Sequence, residues 1–175
     1  HYSRDFRRLF RAELCHIASA TRQALTRGSM EVKETIFIRR PVEDVFDFVS
    51  NPSNDTAWRS VVAECVVQSE GPIGVGTTGY RRERFMGREV EFEWRITEYV
   101  HPERTAWEFI GGPLQSRGYY TFKNMGNLVG TTLTVNLEPA ALGLAGLLMP
   151  GMVPGLRRVW QEGFERLKRI LETQP

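Results

Sequence analysis

Arg81, Glu83 and Tyr120 are the side chains of this sequence whose types and spacing could do chemistry. Arg81 and Glu83 lie two residues apart in the run from Thr77 to Phe85, so on a strand both point to one face. A turn at Met86 and Gly87 would pair that run with the next, starting at Arg88. Arg84 then faces Glu89, Arg82 faces Glu91 and Tyr80 faces Glu93. Opposite charges across one face favour this register by roughly a few tenths of a kcal/mol per pair. That face is the wet one. The other face carries Gly79, Arg81, Glu83 and Phe85, opposite Val90, Phe92, Trp94 and Ile96. A one-residue slip would invert one strand. Charges against an apolar wall are costly unless paired. Inward Arg81 and Glu83 would therefore orient the polar end of a ligand, or work as acid and base. Tyr120 could donate to a ligand carbonyl. These three are the catalytic candidates. The plain alternatives are a solvated pair at the sheet edge and a core tyrosine with a satisfied hydroxyl.

Other chemistries find no residues to carry them. His1 and His16 lie in the first 29 residues, and His101 precedes Pro102 in an expected turn. No histidine is placed inward for general-base work. There is no Ser-His-Asp pattern, no phosphate-cradling glycine loop and no His/Cys metal cluster. Gly74 and Gly76 belong to a turn, since no helix follows them. No cofactor and no metal are expected. Cys15 and Cys65 lack metal spacing, which suits a reducing cytoplasm. The net charge of +2 is weak and its acids and bases interleave, which argues against a nucleic-acid partner.

The elements that must hold these residues follow from periodicity. The chain has 175 residues, 41% hydrophobic and 25% charged, enough for one soluble domain with a core of its own. Residues 31–39 alternate, with Val32, Thr35 and Phe37 set against Lys33, Glu34 and Arg39 and with Ile36 and Ile38 adding β-branching, and read as a first strand. Pro41 suits a first helical turn, and Val42, Val45, Phe46 and Val49 give the apolar stripe. A second short helix is expected from Pro52 to Trp58, with Trp58 closing one end of a cavity. Further strands are expected at 61–69, 77–85, 88–99, 104–110, 115–123 and 130–138, joined by turns rich in glycine, proline and asparagine. A last helix is expected over roughly residues 154–172, with Leu156, Val159, Trp160, Gly163, Phe164, Leu167, Ile170 and Leu171 inward. The fold class is α+β: a curved antiparallel seven-stranded sheet around a long C-terminal helix, with two short helices after strand one. Alternation turns Thr105, Trp107 and Phe109 inward, together with Tyr120, Phe122, Leu133, Val135 and Leu137.

Two segments stand apart. Residues 1–29 hold six arginines against Asp5 and Glu13, and Phe6, Leu9, Phe10, Leu14 and Ile17 fall at helical spacing. A targeting presequence or membrane-surface helix would look like this. The chain starts at His1, however, and Gly28 and Ser29 precede Met30 like a cloning junction. The segment is therefore read as a tag-derived, non-native leader before a domain at 31–173. Residues 140–153 are apolar and glycine-rich, but too short to span a bilayer and interrupted by Pro150 and Gly151. They read as a lid over the cavity mouth, a patch for a partner or membrane surface, or a loop tucked on the core. Stable membrane insertion is not expected.

Several pieces occur together in order: Pro41 to Pro52, Trp58, Gly71 to Thr77, Thr97 to Arg104, Gly118 to Phe122, Gly130 to Thr132 and Leu167 to Glu172. In these the chain resembles the polyketide cyclase/dehydrase-type proteins of the START-like (SRPBCC) superfamily, over about residues 31–173. The resemblance implies a helix-grip fold with a cavity between sheet and C-terminal helix. Members carry lipids, bind hydrophobic ligands or fold polyketides, so fold does not fix function. The expected function is binding of a small hydrophobic molecule: aromatic, polyketide-like, isoprenoid or lipid. Its walls would come from Trp58, Phe85, Phe92, Trp94, Trp107 and Phe109, with Phe122, Leu156, Trp160 and Phe164, while Arg81, Glu83 and Tyr120 supply the polar contacts. The alternatives are a cyclase or dehydratase acting through Arg81, Glu83 and Tyr120, and a protein-interaction or stress-response module. A cytoplasmic monomer or homodimer is expected.

Overall fold

The computed structural model describes residues 31–85, 87–113, 115–126, 129–140 and 145–173, with backbone alone for 85, 139, 140 and 145–152. The basic leader and residues 141–144 of the apolar segment lie outside the described residues. In chain order the elements are β1 (Val32–Ile38), α1 (Val42–Val49), a 3-10 turn (Pro52–Asn54) and α2 (Asp55–Trp58). Then come β2 (Val62–Val67), β3 (Thr78–Phe85), β4 (Arg88–Val100), β5 (Arg104–Gly111), β6 (Gln115–Asn124), β7 (Thr131–Ala140) and α3 (Ala145–Thr173).

The seven strands form one antiparallel sheet in the order β1-β7-β6-β5-β4-β3-β2. The meander from β2 to β7 is joined at its far edge by β1, while β2 is the other edge strand. Irregular register at Val62/Glu64 in β2, and at Glu93/Trp94 and Ile96/Glu98 in β4, increases local twist and bends the sheet. The sheet curls into a half-barrel that holds α3. The helix lays Trp160, Gly163, Phe164, Leu167 and Leu171 on the core at three- and four-residue spacing. Its end is held by β1 and the segment after it. Arg40 Nε donates to the Leu171 carbonyl at 2.7 Å, and the Arg39 amide donates to Glu172 Oε1 at 2.8 Å.

The β3–β4 ladder has the register expected from its charges: Arg84 opposite Glu89, Arg82 opposite Glu91, Tyr80 opposite Glu93. Arg82 pairs also with Glu64 of β2 on the wet face. Phe92, Trp94 and Ile96 are buried on the other face. Two expectations need correction. In β1, Thr35 is exposed and bonds Thr134 across the outer face, while Val32 and Ile38 are fully buried. The inward set is thus the even-numbered one, so the grouping of Val32 with Thr35 and Phe37 does not hold, and Ile38 lies on the core side. The last helix begins at Ala145, nine residues before Pro154, so residues 145–153 are helical rather than a loop. A proline inside a helix removes one backbone bond. The alanine, leucines and methionines around Pro150 are strong helix formers and carry the helix through.

Gly79 shows how tightly the site strands are fitted. It pairs with Trp94, and the indole lies over its Cα position. A Cβ there would overlap the Val66 carbonyl oxygen and lie 2.5 Å from a Trp94 ring carbon. Gly79→Ala is expected to destabilise the protein by about 1–3 kcal/mol through overpacking. Chemical denaturation checks this, and an unchanged midpoint would show that the indole has room to move.

Candidate functional site

Two hydrogen bonds place the short helix α2. Asn51 Oδ1 accepts from the Ser53 amide at 3.1 Å, and Asn54 Nδ2 donates to the Phe48 carbonyl at 2.9 Å. They fold the chain back after α1 and aim Asp55 into the interior. One helical turn on, Arg59 lies on the same side, because residues four apart share a helix face. Asp55, Arg59 and Arg81 are 6%, 7% and 6% exposed.

These three close a ring with Glu83. Asp55 Oδ2 accepts from Arg59 Nη1 at 3.2 Å and from Arg81 Nη1 at 3.0 Å. Glu83 Oε1 accepts from Arg59 Nη2 at 3.4 Å. Arg81 Nε lies 2.9 Å from the same oxygen, but its N–H is misaligned, so this contact is an ion pair and not a hydrogen bond. Each arginine therefore meets both carboxylates, and the four charges sum to zero. Aromatic faces cover the guanidiniums: Arg59 lies 4.4 Å from the Trp160 ring centroid, and Arg81 lies 4.9 Å from that of Phe109. Burial by itself lowers the Arg59 pKa, but Tyr120, Asp55 and Glu83 hold it above the ordinary guanidinium value.

Beside this ring is a small cavity of about 40 Å³. Asp55 and Arg81 form its charged side. Trp94, Ile96, Trp107 and Val49 form its apolar walls, and Ser50, Cys65, Thr105 and Tyr120 complete it with Pro52. The volume suits about three water molecules. Several donors here lack partners. Ser50 Oγ has none, and Trp94 Nε1 faces the Cys65 thiol without a well-formed bond. No described group accepts from Tyr120 Oη or Arg81 Nη2. Buried donors are normally satisfied, so such a group calls for an explanation. Burial raises the Tyr120 pKa above the ordinary phenol value, with Arg59 and Arg81 pulling it partly back, so Tyr120 is a neutral donor at ordinary pH. Burial, then Asp55, pushes the Cys65 thiol up to about 12.

Both raised values give an expected pH dependence. In the unfolded chain these groups lose their protons near their usual values, about 9 for the thiol and 10 for the phenol. The folded form keeps them, so it binds more protons than the unfolded form and stability falls as pH rises. The loss begins near pH 9 with Cys65 and steepens above pH 10 with Tyr120. Denaturation midpoints from pH 7 to 11 check this. Tyr120→Phe should make the slope above pH 10 shallower by as much as about 1.4 kcal/mol per pH unit.

Of the residues singled out from sequence, Arg81, Trp94, Trp107 and Tyr120 line the cavity. Glu83 stands behind Arg81 in the ring. Trp58 is fully buried in a cluster with Tyr120, Trp160 and Phe164, not at the cavity wall. Phe92 and Phe109 stack on each other with ring centroids 4.5 Å apart. Phe122 belongs to the core, and Leu156 packs half-buried against it. Phe85 is described by backbone alone. Asp55, Arg59, Ser50 and Thr105 were not singled out as site residues from sequence. The Asp55–Arg59 spacing beside Trp58 was the available signal for the first two. Among the described residues no cluster of His, Cys, Asp or Glu is placed to hold a metal ion, and no helix is long and apolar enough to cross a membrane.

The sequence matches the model of a family described as polyketide cyclase / dehydrase and lipid transport over residues 29–172. No curated protein matches it. Among solved structures it is similar to a protein of Thermus thermophilus, with a TM-score of 0.70 and 17% identity, covering 82% of this chain and 99% of that one. It is similar to a START superfamily protein of Mycobacterium smegmatis, with a TM-score of 0.61 and 16% identity, covering 81% and 94%. A Nitrosomonas europaea protein gives a TM-score of 0.64 and 14% identity, covering 83% and 96%. At such identities the likeness shows the fold.

Proposed function

The chain belongs to the polyketide cyclase / dehydrase and lipid transport family, and from that premise we propose that it binds a small apolar molecule inside the curved sheet, in the cavity that the sheet forms with the α1–α2 turn. The ligand is aromatic or polyketide-like and carries at least one oxygen acceptor. The unpartnered donors in the aromatic cavity, Ser50 Oγ, Trp94 Nε1 and Tyr120 Oη, carry this reading. Trp94 and Trp107 offer flat faces to the apolar part. Tyr120 and Arg81 orient the oxygen.

The reading is binding and orientation rather than proton transfer. A phenol with a raised pKa donates a hydrogen bond but is a poor general base. Cys65, held as a thiol, is a poor nucleophile. Ligand pockets usually hold roughly 300–1,000 Å³, far above the 40 Å³ here. Entry of anything larger than a few waters therefore requires the walls to part.

Tyr120→Phe tests the reading. Its hydroxyl has no protein partner, so removing it costs the fold little, and Tm at pH 7 should stay the same or rise. Binding of an aromatic ketone, followed by calorimetry, should weaken by roughly 2–10-fold, one neutral hydrogen bond. Unchanged affinity would place the ligand oxygen elsewhere.

A further inference from the structure

We infer that the cavity selects an uncharged oxygen acceptor, such as a ketone or ester carbonyl, over a carboxylate of the same shape. This rests on the reading of the cavity as an apolar ligand site and names the chemistry of its polar end. The ring of Asp55, Arg59, Arg81 and Glu83 holds two positive and two negative charges, each touching both of opposite sign. Arg81 reaches the cavity with its charge already matched. The other polar lining groups, Ser50, Cys65, Thr105, Trp94 and Tyr120, are neutral.

An entering carboxylate would bring a negative charge that no free cation of the ring offsets. In a small cavity with apolar walls that surplus is penalised. A carbonyl adds no charge, and its two lone pairs fit the idle donors at Tyr120 Oη and Arg81 Nη2. Glu83 is the least buried member, with its side chain 18% exposed. It is the one carboxylate that could swing away to admit an anion, so the ring itself is under test.

The experiment compares acetophenone with benzoate at pH 7.5 by calorimetry, since the two are planar and of similar size. Titration followed by indole N–H resonances locates each probe. Acetophenone should bind at least tenfold more tightly and shift the Trp94 and Trp107 signals. Glu83→Gln leaves the ring one positive charge in excess, so the benzoate-to-acetophenone affinity ratio should rise at least tenfold. Equal or tighter binding of benzoate by the unmodified protein, at the same indoles, overturns the selectivity but leaves the binding reading standing. If neither probe moves those indoles, the binding reading falls and the selectivity with it. Should Glu83→Gln lose its fold, the ratio in the unmodified protein decides alone.

Discussion

Asp55→Ala should destabilise the protein by about 3–5 kcal/mol and lower Tm by about 10 °C. The cause is the geometry of one oxygen. Asp55 Oδ2 accepts from both Arg59 and Arg81, at 3.2 and 3.0 Å. Without it, two buried guanidiniums share Glu83 alone, and the inner side of the ring carries a net positive charge. Removing one partner of a buried charge cluster costs more than the cluster itself contributes, because the remaining charges stay desolvated. Asp55→Asn keeps the shape and one acceptor oxygen, so it should lose less than the alanine variant. Thermal melts of both variants check this ordering. Equal losses would mean that the charge alone matters at this position and the retained shape and oxygen add nothing.

Trp58→Ala should cost a similar amount, about 3–5 kcal/mol, by leaving a large cavity in the core. The indole is fully buried. It stacks on Phe164 with ring centroids 6.0 Å apart and an interplanar angle of 20°, and meets Tyr120 and Trp160 at an angle. Trp58 thus joins α2 to α3 and fixes the start of the turn that presents Arg59. Trp58→Phe keeps part of the stack and should lose less. Denaturant titration reads both losses. A small loss for Trp58→Ala would show that the helix can settle into the vacated space.

The sheet was legible in the sequence because its patterns are redundant. In β3 and β4 the charged faces and the apolar faces demand the same register, so Arg81 and Glu83 could be placed inward before any coordinates. The α2 turn was less legible. Asp55 and Arg59 are ordinary surface residue types, and four residues show no periodicity. Only the fold back after Asn51 turns them inside, and that depends on side-chain bonds to Ser53 and Phe48. The start of α3 was hidden for another reason. Pro150, Gly151 and Pro154 are the usual marks of a loop, and here the helix runs through them. Trp58, read from sequence as closing one end of a cavity, makes its ring contacts in the core cluster with Tyr120, Trp160 and Phe164.

The cavity joins these observations. Its walls come from α1, the turn after it, β2 to β6 and α2, so a ligand entering it would load most of the site elements together. Its small volume of about 40 Å³ means that binding anything larger and local opening are coupled.

The most direct test uses the four tryptophans, of which Trp94 and Trp107 line the cavity and Trp58 and Trp160 belong to the core cluster. Their indole N–H resonances in a 15N-labelled sample would be followed while acetophenone is added. Trp94 and Trp107 should shift together and saturate, with Trp94 moving downfield as its idle N–H gains an acceptor. Indole signals that stay fixed while only surface amides move would contradict an interior binding site.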